Sequence, residues 1–177
     1  MSNLSGIRRL SRVMAALCLV AMVAMPLLLA LAWALLPSLR PGWPPYATLP
    51  IPPEPARELV IAGFLVLLVP LAVLLWGVER LRRLFRRYEA GDVFSPQAAR
   101  CLAGFAQAVL LWALLQPLAS ALAGMILTLG NPPGQRALAL SVGTGELGAV
   151  AIALVLLVVA RVLREASRVA EENASFV

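Results

Sequence analysis

Four long apolar stretches divide this chain, and each is long enough to cross a lipid bilayer as a helix. About 20 helical residues suffice for that, since a helix rises about 1.5 Å per residue and the hydrocarbon core is about 30 Å thick. The pattern therefore predicts an all-α fold, a four-helix bundle of transmembrane helices that forms a single membrane domain over residues 1–177. The predicted spans are Val13–Leu36, Leu59–Val78, Leu102–Leu129 and Glu146–Leu163.

The second helix is predicted to continue beyond its apolar stretch. Apolar residues recur there at the spacing of one helix face, and arginines fill the other face. Glu79 precedes Arg82 and Arg83 by about one turn, in the order that favours ion pairing within a helix. The apolar face consists of Leu81, Leu84, Phe85 and Tyr88.

A tight turn is predicted to follow, because Gly91 can adopt the left-handed conformation that ends many helices. Ser95 and Pro96 then have the character of a helix N-cap and a first helical residue. We expect helices 2 and 3 to form a hairpin with its tip at residues 89–95. From Pro96 to Leu129, helix 3 would measure about 51 Å, which is longer than the thickness of the bilayer core. The helical periodicity of apolar residues in helix 4 continues to Ala174. Helices 2, 3 and 4 are thus predicted to extend into the cytoplasm.

Two segments on the opposite side lack helical periodicity. Residues 37–58 contain eight prolines, which predicts an extended, proline-rich outer loop. Residues 137–142 alternate in polarity and size, which predicts a short extracytoplasmic strand. Glu146 lies in the first turn of helix 4 if that helix begins two residues earlier, but deep in lipid if it begins at Ala137. We favour the surface position, since Leu147–Leu163 alone spans about 26 Å.

All fifteen basic residues are arginines, and their distribution predicts the orientation of the chain. Twelve lie on the side that holds both termini and the hairpin tip, and the other side carries Arg40, Arg57 and Arg136. The positive-inside rule then predicts a multi-pass protein of the bacterial inner membrane with both termini in the cytoplasm. The net charge of +6 is explained by helix orientation and by contact with the lipid bilayer, so no direct nucleic-acid binding is expected. The composition, 61% hydrophobic and 14% charged, leaves no separate soluble domain.

The residue types of common catalytic and metal centres are missing. The chain has no histidine, and two cysteines, Cys18 and Cys101, are too few for a zinc site. Both cysteines fall on the reducing side of the membrane, so a disulfide is not expected. We expect no cofactor, no metal and no enzymatic activity. The cores of the four stretches carry no Asp, Lys or Arg, which argues against a proton-coupled pump.

Prolines and glutamines mark the middle of the first three helices. Each proline frees a backbone carbonyl, which neighbours or water must satisfy. This polar centre is either a ligand cavity or hinge, or a set of ordinary packing contacts, which is the commoner role in membrane helices. The candidate intramembrane polar or hinge positions are Pro26, Pro70, Gln107, Gln116 and Pro117.

Several motifs resemble one known family. The hairpin carries LFRRYEAGDVF at Leu84–Phe94, the last helix opens with Gly145–Leu147, and the tail contains Leu163–Ala166 and Ala170–Asn173. With these motifs the chain resembles the DUF2975 family of small bacterial membrane proteins over essentially its whole length. The resemblance implies a four-span architecture without catalytic residues. Since some members are encoded beside a small helix-turn-helix regulator, it also implies a cytoplasmic regulatory partner.

Two functional hypotheses follow. The first is a sensory or regulatory membrane protein that binds a small cytoplasmic helix-turn-helix regulator through the hairpin and the acidic tail. The alternative is transport or binding of a small molecule or lipid through the polar, kinked centre of the bundle. The candidate partner surface consists of Arg82, Arg83, Arg86, Arg87, Tyr88, Gly91, Phe94, Glu171 and Glu172.

Overall fold

Four long helices make up the structure, a computed structural model that describes residues 2–35, 56–92, 95–132, 140 and 142–174, and the side chains of all these except 2–5, 7 and 170–174. All four helices are long and apolar enough to span a membrane. The described residues contain no strand, and the predicted all-α fold with four transmembrane helices is confirmed. The helices are α1 (Ser2–Ala34), α2 (Arg57–Glu89), α3 (Pro96–Thr128) and α4 (Thr144–Ala174).

Each helix packs against the next one along the chain, α1 on α2, α2 on α3 and α3 on α4. Both α2 and α3 are therefore covered from two sides, and α3 shows most clearly how. Ten of its fifteen buried residues are alanine or glycine. Small side chains let helix backbones approach closely, which is how helices pack where lipid offers no hydrophobic driving force.

Two apolar clusters hold the helices together, one towards each end of the molecule. The cluster far from the hairpin joins α1, α2 and α3 through Trp33, Leu67, Ala119, Ala123 and Leu127. The cluster beside the hairpin joins α2, α3 and α4 through Leu84, Ala98, Cys101, Leu102 and Ala160. α2 and α3 contribute to both clusters, so they form the continuous centre of the fold.

Glycines allow two close contacts of α2. A Cβ atom placed on Gly77 would lie 2.5 Å from the Cβ atom of Ala108 in α3, well inside contact distance. The ring of Trp33 in α1 lies over Gly63, where a Cβ atom would approach it to 3.0 Å. The indole N–H of Trp33 also donates to the carbonyl oxygen of Val60 at 2.7 Å. These contacts fix the spacing of α2 from its neighbours.

The beginning of α1 differs from the prediction. The helix starts at Ser2 and therefore runs about 16 Å ahead of Val13, where the apolar stretch begins. Four helices, and not only the three predicted, thus continue past their apolar stretches at the hairpin end. The extensions of α1 and α2 meet where Arg12 contacts Glu89 at the end of α2.

α4 begins where the favoured alternative for Glu146 requires. α4 begins at Thr144, and Glu146 lies in its first turn. The carboxylate of Glu146 accepts a hydrogen bond from the Gly143 N–H at 2.9 Å. A carboxylate at a helix N-terminus is also favoured by the helix dipole.

Two predicted segments fall largely outside the described residues. Residues 37–55 of the proline-rich outer loop, predicted over 37–58, lie outside the described residues, and α2 begins at Arg57. Of the predicted strand near 137–142, the structure describes Leu140 and Val142, and neither belongs to a strand.

The outward faces of the helices are covered by large apolar side chains. Leu27 of α1 and Val155 of α4, for example, are each 63% exposed. Soluble proteins rarely expose extensive apolar surfaces of this kind, whereas lipid chains solvate them. The chain is therefore a multi-pass membrane protein.

Candidate functional site

The turn between α2 and α3 is closed by local hydrogen bonds. Gly91, just past the end of α2, has a φ of +91°, which confirms the predicted left-handed residue. Its N–H donates to the carbonyl of Tyr88 at 3.1 Å, and the N–H of Asp92 donates to that of Arg87 at 2.9 Å. This is the Schellman arrangement that satisfies the last carbonyls of a helix. The Arg87 side chain also donates to the Asp92 carboxylate at 3.2 Å.

The start of α3 is capped as the sequence predicted. The Ser95 hydroxyl oxygen accepts a hydrogen bond from the Ala98 N–H at 3.1 Å, and Pro96 is the first helical residue. Both helix ends of the hairpin are therefore terminated by their own side chains and backbone.

Glu79 binds two arginines of α2. Its carboxylate accepts from Arg83 at 3.0 Å and from Arg82 at 3.1 Å, so the predicted pairing within the helix forms with both. The hydrogen bond from Arg83, with that from Arg82, holds the pKa of Glu79 below its usual value, although partial desolvation opposes the shift. Glu79 comes just after Val78, where the apolar stretch ends.

The first helix reaches the hairpin through its basic residues. The Arg12 Nε atom donates to the Glu89 carboxylate at 2.7 Å. The guanidinium of Arg8 lies 3.5 Å from the position that a Cβ atom on Gly91 would take. Sequence spacing did not reveal the Arg12–Glu89 contact because 77 residues separate its partners. This exposed ion pair contributes at most about 1 kcal/mol, but it joins α1 to the end of α2.

The predicted partner surface is divided between two grooves. Arg82 lines a groove between α1 and α2. Arg83 and Arg87 line a groove between α2 and α3, beside the hairpin. Arg86 borders both grooves. The arginines of α2 thus point to both sides of that helix and do not form one flat patch.

Tyr88 is half-buried and packs against the cluster around Leu84. Its ring meets that of Phe85 edge-on, with the centroids 6.4 Å apart. Burial, with a smaller contribution from Cys101, raises the pKa of the Tyr88 hydroxyl. Tyr88 therefore helps to fix the hairpin against α3 and α4. Three further residues of the predicted surface, Phe94 and the side chains of Glu171 and Glu172, lie outside the described part of the chain.

The predicted polar centre is only partly assembled. Pro26 is half-buried, Pro70 and Pro117 are buried, and α1, α2 and α3 each run as one helix through their proline. The Gln116 amide donates to the Ser120 hydroxyl at 3.3 Å within α3. Gln116 also borders a cavity of about 110 Å³, together with Leu29, Leu67, Leu71 and Trp112.

Gln107, in contrast, is exposed on the outside of α3 and does not line that cavity. The structure therefore separates the two glutamines that the sequence grouped together.

Two arginines outside the predicted partner surface also lie at the hairpin end. Arg80 and Arg100 line the groove between α2 and α3, opposite each other. The Arg80 guanidinium lies over the ring of Trp76, 4.8 Å from its centroid, and the Arg80 stem covers Gly104. The spacing of Trp76 and Arg80, four residues apart on one helix, was a usable signal for this contact.

Comparison with known proteins gives one match. A family model described as a protein of unknown function, DUF2975, matches residues 35–177. No curated protein and no solved structure matches the chain. The matched residues contain α2, α3, α4 and the whole hairpin, whereas α1 precedes them. Because the match covers most of its length, this chain belongs to the DUF2975 family of proteins of unknown function.

Proposed function

We propose that this chain is a non-enzymatic, sensory or regulatory protein of the bacterial inner membrane, and that it binds a cytoplasmic protein through the arginine-rich end of α2. The observation that carries the proposal is the projecting end of this helix. From Glu79 to Glu89, α2 continues about 16 Å beyond its apolar stretch. The hairpin turn and the Arg12–Glu89 ion pair hold this extension in place.

The charge of this end suits a partner with an acidic face. Twelve arginines and six acidic residues lie on the hairpin side of the spans, against three of each on the other side. Arg83 and Arg86 are exposed on the extension. Because they stand on a fixed helix, little conformational freedom is lost when a partner binds, and complementary charge speeds encounter. The partner that the family resemblance suggests is a small helix-turn-helix regulator.

The test is binding between the full chain in detergent and the regulator encoded beside its gene, measured by calorimetry. We expect Arg86→Glu to weaken binding about tenfold, because it puts like charge against an acidic face. Arg86 forms no ion pair in the described structure, so this change leaves the hairpin turn intact. The matched control is Arg57→Glu, an exposed arginine at the opposite end of α2. Equal binding by all three proteins would refute the proposal.

The cavity beside Gln116 supports a second candidate, binding or transport of a small molecule through the centre of the bundle. About 110 Å³ at mid-membrane holds a few water molecules or one end of a ligand. In a background with Cys18 and Cys101 replaced by alanine, we expect Gln116→Cys to react with a water-soluble thiol reagent. If neither Gln116→Cys nor Ala113→Cys reacts, the cavity has no connection to water and this function is excluded.

A further inference from the structure

A groove of about 510 Å³ lies between α2 and α3 beside the hairpin, and we refer to it as the α2–α3 groove. Both helices supply its charged side chains. Five arginines against one aspartate give the lining a formal charge of +4. The charged residues of the lining are Arg80, Arg83, Arg86, Arg87, Asp92 and Arg100.

Two of the five arginines are paired with carboxylates of the chain itself. Arg87 binds Asp92 at 3.2 Å, and Arg83 binds Glu79 at 3.0 Å. Among the residues that the structure describes, Arg86 and Arg100 form no ion pair with a carboxylate. Guanidinium groups crowded in one groove repel one another, and an anion between them removes that repulsion. The groove therefore has the charge of an anion site.

The start of α3 adds to the same potential. Gln97, in the first turn of α3, lines the groove, so the positive end of the helix dipole adjoins it. Phosphate is the anion that this lining matches best, because guanidinium groups bind its oxygens through paired N–H donors.

The groove begins where the apolar part of α2 ends. Trp76 is 47% exposed on the outside of the helix, and Arg80 stacks on its ring one turn further on. Tryptophan side chains of membrane helices concentrate at the boundary between hydrocarbon and headgroups. In either orientation of the chain, Arg80 and Arg100, which line the membrane end of the α2–α3 groove, therefore lie at a headgroup layer.

Exposed apolar side chains continue from the groove towards mid-membrane on both helices. Val69 is about five turns from Arg87 along α2, and Leu118 is about five turns from Arg100 along α3, so each pair shares a helix face. Val69 is 57% exposed and Leu118 is 54% exposed. A cationic groove thus adjoins two apolar faces, which is the arrangement of a phospholipid with its headgroup and acyl chains.

Gln107 has a place in the same arrangement. It is exposed on α3 between Arg100 and Leu111, about 10 Å along the helix from Arg100. Gln107 therefore puts a polar amide on the same face of α3 as Arg100, on the side towards mid-membrane.

We infer that the α2–α3 groove binds the phosphate of an anionic phospholipid, whose acyl chains lie along α2 and α3. A lipid with two phosphates, such as cardiolipin, uses more of the charge of the groove than one with a single phosphate. A soluble phosphate would use the arginines but neither Gln107 nor the apolar faces. The groove shares Arg83, Arg86 and Arg87 with the predicted partner surface, whereas Arg80 and Arg100 belong to the groove alone. Variants of Arg80 and Arg100 therefore test the lipid site separately from the proposed function.

The test is native mass spectrometry of the delipidated full chain, titrated with cardiolipin, phosphatidylglycerol or phosphatidylcholine. We expect one tightly bound cardiolipin, weaker binding of phosphatidylglycerol and no specific binding of phosphatidylcholine. Each basic residue near a lipid headgroup changes affinity about fivefold. Arg100→Gln should therefore weaken cardiolipin binding about fivefold, and Arg80→Gln with Arg100→Gln about twenty-five-fold.

Matched variants decide between a defined site and diffuse attraction. Arg82→Gln removes one positive charge from the same end of the molecule, but Arg82 lines the groove between α1 and α2, so binding should stay within about twofold of the unaltered chain. Arg100→Lys should bind cardiolipin with an affinity between those of the unaltered chain and Arg100→Gln. Lysine keeps the positive charge but loses the paired N–H donors of the guanidinium group. Arg100 is exposed, so its variants keep the fold, which melting curves verify.

Equal losses of cardiolipin affinity for Arg82→Gln and Arg100→Gln would overturn the inference. Displacement of the lipid by micromolar pyrophosphate would assign the groove to a soluble phosphate instead.

Discussion

A single missing side chain, that of Gly77, determines how closely α2 approaches α3. Alanine at this position would bring its Cβ atom to 2.5 Å from that of Ala108, and both helices would have to separate. Overpacking of this kind costs about 1–3 kcal/mol, whereas alanine gains at most about 1 kcal/mol in helix propensity. We expect Gly77→Ala to lower the free energy of unfolding, seen as a lower melting temperature by circular dichroism in detergent.

The control for that prediction is Gly148→Ala. Gly148 also lies within a helix, but a Cβ atom there would meet nothing within 4 Å. Alanine should therefore be neutral or stabilise the chain by up to about 1 kcal/mol. If both variants melt at the same temperature, Gly77 does not set the distance between α2 and α3.

At the scale of residues, the sequence predicted what depends on near neighbours and missed what depends on distant ones. Gly91 and Ser95 were recognised because helix caps use only the backbone within a few residues. The requirement for glycine at position 77 was not recognised, because it comes from Ala108 in the facing helix. The α2–α3 groove was not recognised either, because Arg100 of α3 joins the arginines of α2 only in the folded hairpin.

At the scale of elements, the hairpin between α2 and α3 is the most defined local structure beyond the apolar stretches. Its Gly91 has a φ of +91°, a conformation that costs other residues about 1–2 kcal/mol. We expect Gly91→Ala to loosen the turn and speed tryptic cleavage near the tip. Gly91→Asn should be cleaved more slowly than Gly91→Ala, since asparagine tolerates positive φ. Identical cleavage of Gly91→Ala and the unaltered chain would show that the turn does not need glycine.

The four helices were predictable as elements because hydropathy alone identifies them, whereas the early start of α1 was not. The segment before Val13 is polar and basic, and by itself it has little reason to be helical. In the structure it is part of α1, and Glu89 at the end of α2 accepts the Arg12 side chain. The contact between the extensions of α1 and α2 cannot be read from hydropathy and is seen only in the folded structure.

At the scale of the whole molecule, charge is arranged along the membrane normal. The hairpin end carries the entire net charge of +6, since acids and arginines balance at the other end. Guanidinium groups are costly to move through hydrocarbon, so we expect the arginine-rich end to stay in the cytoplasm during insertion. We expect a thiol at Ala90, an exposed position in the hairpin turn, to be inaccessible from outside the cell.

That prediction is checked by thiol labelling of intact cells with a membrane-impermeant maleimide, in a background without Cys18 and Cys101. Leu140→Cys, 60% exposed at the other end of the molecule, serves as the positive control. Leu140→Cys should be labelled in intact cells, and Ala90→Cys only after the membrane is permeabilised. Labelling in the opposite order would place the hairpin outside the cell. The proposed cytoplasmic partner would then lose its access to the arginines, whereas the lipid site would remain, in the outer leaflet.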